Sequence, residues 1–196
     1  MTTTTQSLQQ TIQLIVDILS HHTSNGALEY QLKNTSVDWE AMVKVASAHL
    51  VLPAVYCRLQ QRSLLHELPE DLNDYLKELT HLNRERNATL LREAQQISEL
   101  FNSHNINHVF VKGIALLAGN FFEDTAERMI GDIDILVADE DLDDAFKLLI
   151  KQGYDQLLPF NYEVKYYRHK PRQISADRLG AVELHQNLLK HHYNHL

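Results

Sequence analysis

A single cysteine in 196 residues, Cys57, excludes an internal disulfide. A reducing compartment fits, and the cytoplasm is the expected location. Signal-peptide features are missing as well. Met1-Thr2-Thr3-Thr4-Thr5-Gln6 has neither a basic start nor an apolar run. Nowhere do about eighteen apolar residues follow one another, so no membrane span or membrane partner is expected. Internal repeats and low-complexity linkers are absent. So is any basic excess: the formal net charge is −8, and residues 101–150 hold ten acidic side chains against three basic ones. Broad binding to a nucleic-acid backbone needs a basic face and is not expected. Acid concentrated in one segment suits a site completed by metal ions.

What is present divides the chain in two. The hydrophobic fraction of 44% can bury a core. Leu8, Ile12, Ile15 and Leu19 make one stripe at helical spacing. Trp39, Met42, Val43, Ala46 and Leu50 make a second, begun near Ser36 or Asp38 and interrupted at Pro53. Pro69 suits the first turn of a long helix with the stripe Leu72, Tyr75, Leu76, Leu79 and Leu82, then Leu90, Ile97, Leu100 and Phe101. Near Ile106 the period changes. The expectation is an α+β fold, with a helical N-terminal module over residues 1–103 packed on a small mixed-sheet core over residues 104–196.

In that second part Ile106 to Val111 is β-prone and ends at Lys112-Gly113. Ile114 to Asn120 reads as helix, Arg128 to Gly131 as a turn, and Asp132 to Val137 as a strand. Asp139-Glu140-Asp141 places acids at a helix start, and that helix stops at Gly153. Tyr162, Val164 and Tyr166 alternate like a strand, Pro171 marks a turn, and Ala181 to His185 forms a last strand. Strand residues two apart share a face, so Asp132 and Asp134 point together while Ile133, Ile135 and Val137 fill the other side. Their separation is about 6–7 Å at the rise of a strand. Repulsion at that distance is on the order of 2–3 kcal/mol. A plain strand gains nothing from such a pair, whereas a divalent cation takes carboxylate oxygens. On this view, replacing either aspartate by asparagine should leave the metal-free protein as stable or more so.

Lys112-Gly113, Arg128, Asp132-Ile133-Asp134-Ile135-Leu136-Val137, Gly153-Tyr154 and Val182-Glu183-Leu184-His185 together resemble the uncharacterised nucleotidyltransferases of the DNA polymerase β-like superfamily. Trp39 and His49 with Pro53 resemble that family's helical N-terminal part. The resemblance implies a nucleotidyltransferase core in which three carboxylates on adjacent strands hold two magnesium ions. Asp132 and Asp134 match the first pair. Glu183 is the candidate third, since a carboxylate in an apolar strand needs a partner; the alternative is an edge-strand surface acid. The activity implied is transfer of a nucleotidyl group from an NTP, with ATP the expected donor, to an acceptor hydroxyl. The acceptor is left open among a small molecule, RNA and protein.

Lys112 and Gly113 become nucleotide-binding candidates, because a glycine turn before a helix lets the backbone approach a phosphate. Arg128 either contacts a phosphate or pairs with Asp132. Ile114 stands where the superfamily usually has serine, which supports an alternative reading: a degenerate nucleotidyltransferase-fold module that binds a nucleotide or protein without turnover. Lys165, Arg168, Lys170, Arg172 and Arg178, mixed with tyrosines, either hold a phosphate tail or RNA acceptor or form a solvated hairpin face. His191 and His195 have zinc-compatible spacing, or mark a solvated helix end. Family members often continue further, so the chain is either a compact member or a fragment.

Overall fold

The computed structural model describes residues 7–156 and 170–187. The expected strand around Tyr162 to Tyr166 and the histidines His191 and His195 fall outside them. The described chain groups into two compact units. One takes residues up to Glu85 together with Phe122–Met129; the other takes Arg86–Phe121 and the chain from Ile130 onward. The border falls inside the helix Glu70–Ser103.

Helices α1 (Leu8–Leu19), α2 (Asn25–Asn34), α3 (Trp39–Ala48) and α4 (Leu52–Gln61) build the first unit. Each of the first three starts at a side-chain cap, on Ser7, Ser24 and Asp38. Pro53 lies in the first turn of α4, where its missing N–H costs nothing, so it opens a helix and does not interrupt one. Leu14, Ile18, Leu28, Met42, Val55, Leu59 and Leu76 form the core. The buried face of α1 is Thr11, Leu14, Ile15 and Ile18, while Leu8 and Ile12 are exposed. The face is rotated from the expected stripe because Thr11 is buried: its hydroxyl donates to the Ser7 carbonyl and needs no water.

Helix α5 (Glu70–Ser103) runs for 34 residues. Its buried face is Leu76, Thr80, Asn83, Asn87, Leu90, Ala94, Ile97 and Phe101, in steps of three and four. Tyr75 and Leu82, expected in the stripe, are exposed. Polar members of the face are hydrogen-bonded: Thr80 donates to the Leu76 carbonyl, and the Asn83 amide donates to the Ala126 carbonyl at 2.7 Å. Nearby, Arg84 grips Asp124 through both oxygens.

A five-stranded sheet and two helices make the second unit. In chain order they are β1 (His108–Val111), α6 (Lys112–Ala118), β2 (Asp132–Val137), α7 (Leu142–Lys151), β3 (Asp155–Gln156), β4 (Gln173–Ile174) and β5 (Ala181–His185). Strand order is β1-β2-β5-β4-β3, with β2 and β5 parallel and the other neighbours antiparallel. The mixed sheet with a helical part is the α+β class expected. Helix α7 begins at Leu142, a little after the acids Asp139 to Asp141, and Gly153 follows its end at φ 86°, a conformation glycine adopts without strain. Ile133, Ile135, Val182 and Leu184 are buried on one sheet face, which fixes the register of β2 against β5.

The entry to β5 is held by a buried carboxylate. Glu93 of α5 accepts the amides of Leu179 and Gly180, each at 2.8 Å. A side chain at residue 180 would meet Ile133 and that same carboxylate, so only glycine fits. Glu93→Ala leaves two amides without an acceptor and should cost about 2–4 kcal/mol in a urea melt. The exposed Glu99→Ala should stay within about 0.5 kcal/mol of the parent. Equal losses in the two variants would remove Glu93 from this role.

Candidate active site

The pairing of β2 with β5 decides the geometry of the site. Parallel register sets Asp132 opposite Ala181 and Asp134 opposite Glu183, while Leu136 lies opposite His185. Neighbouring residues across a sheet share a face, so Asp132, Asp134, Glu183 and His185 all lie opposite the apolar face. Val111, at the end of β1, pairs with Asp134, which brings Lys112 to the same edge.

Cations answer the carboxylates. Lys112 Nζ lies 2.5 Å from Asp134 Oδ1 and 3.8 Å from Glu183 Oε2. Arg172 joins Asp132 to Glu183: Nη2 donates to Asp132 Oδ2 at 2.5 Å and Nε to Glu183 Oε1 at 3.0 Å. His185 Nε2 lies 2.7 Å from Asp134 Oδ1. Asp134 and His185 are deeply buried, with 2% and 5% of their side chains exposed, whereas Lys112 is half-exposed. Burial pushes the Asp134 carboxyl up, but hydrogen bonds from His185 and Lys112 outweigh it and hold the group below its ordinary value. Burial likewise opposes the charge on Arg172. Its bond to Glu183, with the charges of Glu183 and Asp132, keeps the guanidinium above its usual value.

The backbone at Lys112 differs from the expected glycine turn. Helix α6 opens at Lys112, and Lys112 carries the left-handed conformation, φ 57°. That costs a non-glycine residue about 1–2 kcal/mol. The strain falls on the residue whose ammonium reaches two site acids. Gly113 has another reason to be glycine, since a Cβ there would clash with Cγ2 of Ile130. Gly113→Ala should therefore destabilise by about 1–3 kcal/mol. Adding Ile130→Leu, which removes the offending methyl, should restore part of it. No recovery in the double variant would return the glycine to a backbone role.

Arg172 and His185 are the site residues that the sequence left unassigned. Arg172 sat in a basic run with no reason to single it out, and that run disperses. Lys170 pairs with Asp143, and Arg178 lies over the Tyr154 ring at 5.2 Å. Lys165 and Arg168 are outside the described residues. Arg128 belongs to the first unit, and a guanidinium that pairs with Asp132 is that of Arg172 from the second. Cys57 is buried and its thiol is pushed up to about 12, which makes it an unreactive core residue.

Comparison with protein families matches residues 35–196 to the uncharacterised nucleotidyltransferases. The chain belongs to that family. Nucleotidyl transfer is the general activity this membership implies. Among curated proteins and solved structures no match is found. No helix among the described residues is by itself long and apolar enough to cross a membrane.

The donor set fits a divalent cation. Three carboxylates meet two fixed cations here, Lys112 and Arg172, so the acids already attract positive charge. One donor atom each from Asp134, Glu183 and His185 lie within 4.8 Å of one another. The pairing also changes the expected stability of the aspartate variants. Asp134 is compensated by Lys112 and His185, and neutralising it takes the nearer acid from both. Asp134→Asn should lose about 1–3 kcal/mol at neutral pH instead of gaining stability. Because the folded carboxyl lies below its ordinary value, its contribution is complete above the carboxylate range and fades as pH falls through the depressed value. Urea melts of the two proteins should converge between about pH 7 and about pH 3. A gap that stays constant over this range would show that the ionised carboxylate is not its source.

Proposed function

We propose that the protein is a magnesium-dependent nucleotidyltransferase that moves a nucleotidyl group from an NTP, ATP in the first instance, to an acceptor hydroxyl. The observation that supports this best is the convergence of Asp132, Asp134 and Glu183 on one face of β2 and β5. These three carboxylates would hold two magnesium ions. When bound, the ions neutralise phosphate oxygens and lower the pKa of the attacking hydroxyl. The chain's own residues do the rest. Asp134 and Glu183 give up Lys112, and Asp132 and Glu183 give up Arg172. The released ammonium and guanidinium are suited to phosphate oxygens, the guanidinium by a two-pronged contact. Gly113 keeps the nucleotide-binding role that the family resemblance implies. The acceptor stays open among a small molecule, RNA and protein, and a cytoplasmic location remains part of the proposal.

A second reading has its own observation. Lys112 and Arg172 pair with all three acids. Such closed pairing also suits a degenerate module that binds a nucleotide or protein without turnover.

The deciding experiment is transfer from labelled NTPs with magnesium, across small-molecule, RNA and protein acceptors. Asp132→Asn, Asp134→Asn and Glu183→Gln should each lower transfer by at least about a hundredfold, equivalent to about 3 kcal/mol. Thermal melts must first show each variant folded. Undiminished transfer by a folded Asp134→Asn would sink the mechanism. ATP binding by the parent without transfer to any acceptor would select the degenerate reading.

A further inference from the structure

We infer that His185 is a metal ligand, and that Asp134, Glu183 and His185 form a mixed oxygen and nitrogen donor set preferring a borderline divalent cation to magnesium. The inference rests on the cleft being a cation site, as proposed above, and names the chemistry of the cation. Three observations carry it. First, Asp134, Glu183 and His185 each offer a donor atom within 4.8 Å of the other two. Second, His185 Nε2 is 2.7 Å from Asp134 and 3.7 Å from Glu183, so the nitrogen addresses both acids. An imidazole that served only to orient Asp134 would have no need of that second approach. Third, the Lys112 ammonium contacts the same two carboxylates, which marks where positive charge is held beside the imidazole.

Strand geometry makes the trio rigid. Asp134 and Glu183 are direct neighbours across the parallel pair, and His185 follows Glu183 by two residues on the same face. Apolar Ile133, Ile135, Val182 and Leu184 lock both strands from below. Magnesium favours oxygen donors in a near-octahedral shell and keeps its waters. Imidazole nitrogen belongs with later divalent metals, for which affinity rises along the first transition row. Coordination through Nε2 replaces the hydrogen bond that Nε2 donates to Asp134 in the metal-free site, so Nε2 gives up its proton and the imidazole keeps the one on Nδ1.

The probe is Mn2+, which is paramagnetic and accepts both donor types. The full chain is titrated with Mn2+ and with Mg2+ without nucleotide, and bound Mn2+ is examined by pulsed EPR for nitrogen coupling. The expected result is Mn2+ binding at least about tenfold tighter than Mg2+, with imidazole nitrogen modulation. His185→Gln should lose the modulation and about 10–100-fold in Mn2+ affinity, while Mg2+ affinity changes by less than about threefold. Bound Mn2+ without nitrogen coupling in the parent overturns the inference whether or not the variant folds. So does coupling that persists in His185→Gln. These outcomes separate from the fate of the enzyme reading. Transfer with magnesium and no nitrogen coupling leaves the enzyme standing and removes the ligand. Nitrogen coupling without transfer does the reverse.

Discussion

Three carboxylates on two paired strands have to be neutralised, and much of the second unit is arranged around that requirement. An ion as buried as Asp134 costs several kcal/mol unless partners replace its water. Two of those partners come from different elements: Lys112 from the start of α6 and His185 from β5 itself. Arg172, just before β4, closes the other side by joining Asp132 to Glu183. No single segment could supply this set. The sheet must be assembled before the charges are matched, so the site depends on the fold. The dependence also runs the other way, because the left-handed backbone at Lys112 is tolerated where its ammonium is held.

The register of β2 and β5 is the second half of the same constraint. A slip of β5 by one residue would turn Glu183 into the apolar layer and bring Val182 out beside Asp134. The apolar side chains oppose that slip from one face. Glu93 opposes it from the end, since its two oxygens fix the amides that lead into β5. Gly180 permits this clamp by having no side chain to push Glu93 or Ile133 away. A residue on the long helix thus sets the position of a strand whose own chemistry lies three residues further on.

Strands β2 and β5 were legible in the sequence to the residue, because acids alternating with branched apolar side chains carry the two-residue period of a strand with one face buried. Asp132 and Asp134 stood out for the same reason, and Glu183 entered as the third carboxylate that the family resemblance implies. The buried face of α5 was only partly visible: hydropathy counts Thr80, Asn83 and Asn87 as polar, whereas burial depends on whether each finds a partner. Thr11 misled the reading of α1 in the same way. Arg172 gave no signal, since a two-residue strand has no period and its neighbours Lys170 and Arg178 look equivalent in composition. His185 was masked by the histidines that follow it. Side-chain identity marked which residues could do chemistry, but pairing across the sheet decided which of them meet.

Charge matching also accounts for a closed site and a working site sharing the same residues. Lys112 and Arg172 are the kind of cations that triphosphate oxygens attract, and the carboxylates they hold are the kind of anions that divalent cations attract. In the ligand-free cleft the two sets satisfy one another. A cation bound as proposed would compete with Lys112 and Arg172 for the acids, and a bound triphosphate would compete with the acids for Lys112 and Arg172. Each ligand would thereby remove a competitor of the other, which is the thermodynamic form of positive coupling. A module evolved only to keep its charges paired has no need of Lys112, whose side chain is half-exposed while its partner Asp134 is almost wholly buried. Exposure on the cationic side and burial on the acidic side leave the pair able to open from one direction. That asymmetry is what a ligand-exchange site requires, and a purely structural ion pair does not.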